Sequence, residues 1–361
     1  MIFLQYLQGC ILLLLCTTLS YGSTLPKDTL NKSCDENHPA FLIDASSHLL
    51  KKKQYLFSYN FTNINMQGNR MGTEKITDAK LFEDYMMAPN KMGMQMHMLM
   101  LMYGVSNKLT LMASVQYVSN SMTMNMPPPA PAVMSMPGMN MGGTAYMGPE
   151  AQYASNIGDS KIIAVYKLLD VNRHQILLNS GFNLPTGSVT EMGPTLQGTN
   201  KKLPYNMQTG TGTFGFLPAL TYMYKKNRLS YGLNFGGNIK LGTNTEGYAF
   251  GNTYFGSAGI GYSWFKWINN SIRIEKLYSG QIQGYDKDIA LLMYNDPNSN
   301  SLHTGGQWLN FYFGMDLFTN VGAANENRFH FEYGVPVSQN INGPQLATLS
   351  MLSIGWFHTI N

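Results

Sequence analysis

Met92-Gly-Met-Gln-Met-His-Met-Leu-Met-Leu-Met102-Tyr103 sets six methionines at every second position, and this stretch decides the fold. A period of two is the side-chain period of a β-strand, so Met92, Met94, Met96, Met98, Met100 and Met102 share one face. On a helix the same spacing would scatter them around the circumference. The opposite face reads Gly93, Gln95, His97, Leu99, Leu101, Tyr103 and becomes apolar towards its end.

Similar alternation recurs along the chain. In Gln54–Met66 the odd face is Tyr55, Phe57, Tyr59, Phe61, against Ser58, Asn60 and Thr62. In Leu229–Leu241 it is Leu229, Tyr231, Leu233, Phe235, Ile239 and Leu241, against Ser230, Gly232, Asn234, Gly236, Asn238 and Lys240. In Arg328–Val337 it is Phe329, Phe331, Tyr333, Val335, Val337. The alternation also recurs at Thr213–Tyr224 and Gln307–Phe318 and, less cleanly, at Gly158–Leu168, Gln175–Leu184, Gly251–Phe265, Ile268–Ser279 and Gln345–Phe357. These segments exceed the usual five or six residues of a soluble strand and match the roughly 9–11 of a tilted strand crossing a bilayer.

The connections alternate as well. Val105–Lys108, Asp170–His174, Lys225–Arg228, Lys266–Trp267 and Thr319–Asn327 are short or fairly short. Gln67–Lys91, Thr123–Ile157, Pro185–Gly212 and Gly280–Gly306 are long. Together these predict an all-β chain: a transmembrane antiparallel β-barrel of about twelve strands, with short periplasmic turns, long extracellular loops and both termini periplasmic. Trp264, Trp267 and Trp356 then fall at the periplasmic ends, as in an aromatic girdle. Trp308 points inward by parity.

Composition agrees. Charged residues are 12% of 361, about half the share of an average soluble domain, while glycine reaches 36 residues and aromatics 12%. A net charge of +4 gives no case for nucleic acid. Residues 1–22 are uncharged, with an apolar run at Ile11–Cys16 and a small-x-small site at Ser20-Tyr21-Gly22, and read as a signal peptide. Residues 23–53 follow as an N-terminal periplasmic segment and 54–361 as an outer-membrane barrel, with bilayer lipid and the barrel assembly machinery as partners. Cys10 and Cys16 leave with the leader, so Cys34 has no intramolecular disulfide partner.

Facing follows from the next strand. Leu109, Leu111, Ala113, Val115 and Tyr117 suit lipid, while Thr110, Met112, Ser114 and Gln116 suit a lumen. A hairpin at Val105–Lys108 keeps even positions opposite even ones, so the six methionines point inward with Met112 and line the expected solute path. The stripe continues through Met122, Met124 and Met126 into a loop carrying Met134, Met136, Met139, Met141 and Met147; nineteen of 26 methionines lie between Met66 and Met147. Thioethers form an adaptable apolar surface. They also prefer Cu(I) or Ag(I), which makes Met94, Met96, Met98, Met122, Met124, Met126, Met136, Met139 and Met141 the candidate ligands of a soft-metal alternative. No other cofactor is expected.

The inward faces elsewhere carry both signs: Lys240, Arg273, Glu275, Asp316, Arg328, His330 and Glu332. Groups buried in a narrow lumen must pair, so these are expected to form one charged network. Enzyme motifs are weak, and the enzyme alternative is a barrel hydrolase whose Ser and His come from different strands. Gly256-x-x-Gly259-x-Gly261 lies inside a strand rather than at a strand-to-helix turn. Gly261-Tyr262-Ser263 lacks the glycine that would complete a nucleophile elbow. The expectation is a non-enzymatic conduit for small uncharged or weakly polar solutes.

Several stretches carry a family resemblance. They are Gln54-Tyr-Leu-Phe-Ser-Tyr59, Met66-Gln-Gly-Asn-Arg-Met-Gly-Thr73, Tyr85-Met-Met-Ala-Pro-Asn-Lys-Met92, Met94 to Gly104, and Leu109-Thr-Leu-Met-Ala113. Leu184-Pro-Thr-Gly-Ser188, Leu203-Pro-Tyr-Asn-Met-Gln-Thr-Gly210, Leu217-Pro-Ala-Leu-Thr-Tyr222, Gly247-Tyr248 and Gly343-Pro-Gln-Leu346 continue them. In these the chain resembles the meta-pathway phenol-degradation outer-membrane protein family of transporters. The resemblance implies a barrel that passes small, often aromatic, compounds, and it supplies no catalytic residue. Barrels of this kind commonly end in an aromatic residue; this chain ends Phe357-His-Thr-Ile-Asn361.

Overall fold

The structure, a computed structural model, describes residues 49–127, 151–321 and 325–360. Met134, Met136, Met139, Met141 and Met147 lie outside them. In chain order the strands are β1 (Tyr55–Gly72), β2 (Glu74–Ile76), β3 (Ala88–Ser106), β4 (Leu109–Asn125), β5 (Ala151–Ile157), β6 (Ser160–Val171), β7 (His174–Leu184), β8 (Met192–Thr195) and β9 (Gly198–Lys202). Then come β10 (Phe214–Phe216), β11 (Ala219–Lys226), β12 (Leu229–Leu241), β13 (Tyr248–Ala249), β14 (Thr253–Phe265), β15 (Ile268–Ser279), β16 (Gln283–Gly284), β17 (Gly306–Val321) and β18 (Asn325–Ile360). One-turn helices α1 (Asp78–Leu81) and α2 (Lys287–Ala290) lie in long connections.

Eleven of these strands close an antiparallel barrel in the order β12-β11-β7-β6-β4-β3-β1-β18-β17-β15-β14, with β14 returning to β12. Closure leaves no unpaired edge, the condition a sheet must meet in hydrocarbon. The 36-residue β18 pairs with β17 through its first part and with β1 through its second. Ile341 faces Gly306 on one side and Gly72 on the other, and Gly343 has φ +66°.

Alternation holds around the ring. Leu99, Leu101, Leu111, Val115, Tyr231, Leu233, Phe235, Phe329, Phe331 and Tyr333 are exposed on the outside, while Met100, Met102, Met112, Ser230, Asn234, His330 and Glu332 are buried within. A soluble monomer rarely exposes an apolar patch beyond a few hundred Å². A belt running around every strand belongs in lipid.

One rim carries tight links. Asn172 and Arg173 both have positive φ, as do many two-residue hairpin turns, and Asn227 does likewise between β11 and β12. Trp264, Phe265 and Trp267 are exposed at this rim, the last two stacked with centroids 5.8 Å apart. The other rim carries the long connections, and these are folded. β8 pairs with β9 and β13 with β16. The Thr213–Tyr224 alternation is divided into β10 and β11, because Pro218 between them has no N–H to give the ladder.

Candidate functional site: a methionine wall under a loop stopper

The stripe faces the interior along its whole length. Across the β3–β4 pair Met92 sits opposite Met122 and Met102 opposite Met112; Met92 also faces Met66 on β1. Met94 and Met96 line an upper cavity of about 560 Å³, and Met98, Met100 and Met112 a lower one of about 270 Å³. Trp308, inward by parity, borders the upper cavity. His97 faces outward, with its Nδ1 2.7 Å from the Tyr59 hydroxyl, and is no partner for the sulfurs.

At the tight-link end the lumen is filled by an apolar cluster of Leu50, Leu56, Met100, Met102, Met112, Val165, Leu177 and Phe357. Leu50 belongs to the segment before the barrel. Its N–H donates to Thr110 Oγ1 at 2.9 Å, and the Lys53 N–H donates to the Gly104 carbonyl at 2.7 Å. Gly104 is required there: a Cβ would collide with the Lys51 carbonyl.

At the other end the long connections fold over the lumen as a stopper. Leu203 and Met207 are fully buried against Met87, Met92, Met122 and Met124. The Asn206 Nδ2 donates to the sulfurs of Met92 (3.7 Å) and Met122 (3.6 Å), and the Asn298 Nδ2 donates to Met122 Sδ at 3.6 Å. Met126 is half-buried just past the end of β4.

Buried charges tie the stopper together. The Lys202 ammonium on β9 contacts Glu246 (2.6 Å) and Asp286 (2.7 Å), joining three connections. Burial opposes its charge, but the hydrogen bonds to Asp286 and Glu246 outweigh this and raise its pKa. The Asp286 N–H donates to the Tyr205 hydroxyl at 3.0 Å, and the Tyr205 and Tyr248 rings meet edge to face. Burial raises the Tyr248 phenol well above its ordinary value. Asp296 caps the Pro297–Ser299 turn by accepting from the Asn298 N–H, and complete burial pushes its carboxyl up to about 7. Burial lowers the neighbouring cavity residue His303. Asp159 fastens the Pro185–Gly212 connection to the wall, accepting from Asn183 Nδ2, the Gly187 N–H and Thr211.

The inward charges form two separate clusters rather than one network. Arg273 binds Glu275 (2.6 Å) and Glu332 (3.1 Å) and lies 3.8 Å over the Tyr312 ring, whose hydroxyl donates to Glu275. Asp316 holds Arg328 and His330, each at 2.7 Å. Lys240 joins neither and corrects the single-network expectation. It stands near the long-loop end of β12, donates to Thr211 Oγ1 at 3.2 Å, and lines the upper cavity with Lys161 and Asp159.

Sequence reasoning missed the stopper residues Leu203, Tyr205, Asn206, Met207, Asp286, Asp296 and Asn298, and also missed Asp159 and Lys161. A usable signal was present: Leu203-Pro-Tyr-Asn-Met207 is an apolar, aromatic run in a connection that no strand needs. Among the described residues no three His, Cys, Asp or Glu side chains gather as a metal site.

No family model and no curated protein matches the chain. Solved structures do. An outer-membrane channel from Pseudomonas putida F1 aligns with a TM-score of 0.56 at 12% identity, over 88% of this chain and 100% of that one. The transport unit of the Escherichia coli autotransporter AIDA-I scores 0.46 at 8% identity, over 89% and 93%. A Pseudomonas aeruginosa FadL homologue scores 0.38 at 10%, over 90% and 95%. The first of these alignments gives the chain the fold of an outer-membrane β-barrel.

Proposed function

We propose that the chain is a stoppered, non-enzymatic outer-membrane channel for small, partly apolar solutes, of the kind the meta-pathway phenol-degradation resemblance implies. The observation that carries this reading is the methionine stripe, which starts beneath the stopper and lines two successive cavities. Thioethers give such a path a flexible apolar surface that adapts to solutes of different shape. The long-loop rim is taken as extracellular, which puts Tyr55 and Ile360, paired with each other, on the periplasmic side. Parity supports a count of twelve membrane passes. Antiparallel neighbours can close a ring only in even number, so β18 counts as two passes turning near Gly343.

Proteoliposome swelling with sugars, amino acids and simple phenols tests the reading. Permeation that falls when the stripe is made polar is expected. An impermeable protein that hydrolyses lipid or peptide would refute it.

A second reading has its own support. Met87, Met92, Met122, Met124 and Met207 share one buried cluster with Met66 and Met94, a sulfur-rich setting for Cu(I) or Ag(I). Against it, the Met92 and Met122 sulfurs already accept amide donors.

A further inference from the structure

Lys161 and Lys240 lie on one rung of the barrel. In register, Ser114 faces Lys161, Lys161 faces Asn183, Asn183 faces Gly215, and Gly215 faces Lys240. Three strand steps of roughly 4.8 Å separate the two lysine backbones. Both side chains point inward by parity. Between them Gly215 contributes no side chain, and the Asn238 carboxamide occupies the place a Cβ there would take.

The rung marks the junction of the two cavities, for Lys161 and Asn238 line both. Among the described residues Asp159 is the one carboxylate lining the upper cavity, and its oxygens are taken by Asn183, Gly187 and Thr211. Lys161 makes no ion pair among the described residues, and Lys240 has only the Thr211 hydroxyl. His303, lowered by burial, adds no charge at neutral pH. The rung therefore keeps one uncompensated positive charge where water is restricted, and the Coulomb attraction for an anion is strengthened there. The same cavity has an apolar wall of Met94, Met96 and Val118, with Trp308 on its border. At about 560 Å³ it falls within the range of small-molecule sites.

We propose that this chamber binds compact amphipathic organic acids, with the carboxylate held between Lys161 and Lys240 and the apolar body against the methionine wall. The proposal rests on the channel reading and names its substrate class.

The test separates binding from passage. Full-length mature protein in detergent is titrated with benzoate, acetate and benzyl alcohol, and Trp308 fluorescence is read against a Trp308→Phe control. Saturable quenching by benzoate is expected, with acetate and benzyl alcohol each about ten-fold weaker. Lys161→Gln with Lys240→Gln should weaken benzoate by at least about ten-fold and leave benzyl alcohol unchanged. Lys161→Arg with Lys240→Arg should restore benzoate binding, and heat-modifiable gel mobility confirms that each variant folds. Equal affinity for benzoate and benzyl alcohol, equal affinity for benzoate and acetate, or an unaffected double Gln variant overturns the proposal. Proteoliposome flux is measured separately: binding without flux of any solute refutes the channel and leaves the site, while flux without benzoate binding refutes the site alone.

Discussion

Lys202→Met should loosen the stopper while leaving the barrel intact. The Lys202 side chain is 8% exposed, and its ammonium is 2.7 Å from Asp286, which is 1% exposed, and 2.6 Å from Glu246. Methionine keeps most of the apolar stem and removes the charge. Glu246, at 27% exposure, can turn to water and loses little. Asp286 cannot: it keeps its bonds to the Asp288 and Ile289 N–H groups, but its other oxygen is left charged and unpaired in the interior. Removing one partner of a buried pair costs about 3–5 kcal/mol. That cost falls on the packed position of α2 and its flanks, because the strands of the ring make none of these contacts. A penalty of about 3 kcal/mol changes an open-to-closed ratio by roughly a hundred-fold. Hydrogen exchange should therefore speed up in peptides covering 283–299, and planar-bilayer recordings should show a large rise in open time. Heat-modifiable mobility should stay as in the parent. Unchanged exchange and unchanged gating in the Lys202→Met protein would refute the idea that this ion pair holds the stopper.

Four further outcomes are expected. The Asp296 carboxyl, at about 7 when packed against an ordinary 3.8, favours the packed loop in its protonated form, so the stopper should weaken as pH rises from about 4 to about 7 and stay level above; Asp296→Asn should flatten that profile in open-probability measurements. Gly104→Val should expel the Leu49–Lys53 segment, because its side chain would collide with the Lys51 carbonyl, and protease nicking before β1 should become faster with the barrel still heat-modifiable. Changing Met94, Met96, Met98 and Met100 to Leu should preserve solute passage; isothermal titration with Ag(I) in acid, where thioethers stay unprotonated, then decides whether these four ligate metal, and an unaltered affinity would leave those four without a metal role. Membrane fractions should retain the mature chain after alkaline carbonate washing, and release by carbonate would contradict a lipid-embedded barrel.

Much of the barrel was legible because lipid and lumen impose opposite demands on successive residues. Leu229–Leu241 is bounded as its alternation implies, and Met92–Met102 share a face because a two-residue period admits one geometry. Loop structure obeys no such period. Lys202, Glu246 and Asp286 are separated by 44 and 40 residues, and only three-dimensional folding brings them together. The lumen charges show the same boundary: parity sends Lys240, Arg273 and Asp316 inward, yet says nothing of height along the axis. Height is set by strand register, which here joins Lys240 to Lys161 through Asn183 and Gly215 and leaves Arg273 to Glu332. Inward lysines at one height and a paired arginine at another make a lumen whose charge is uneven along the path. On the proposed reading a solute under the stopper meets Lys161 and Lys240 beside thioethers, and selection is expected at that rung rather than at the paired Asp316 cluster.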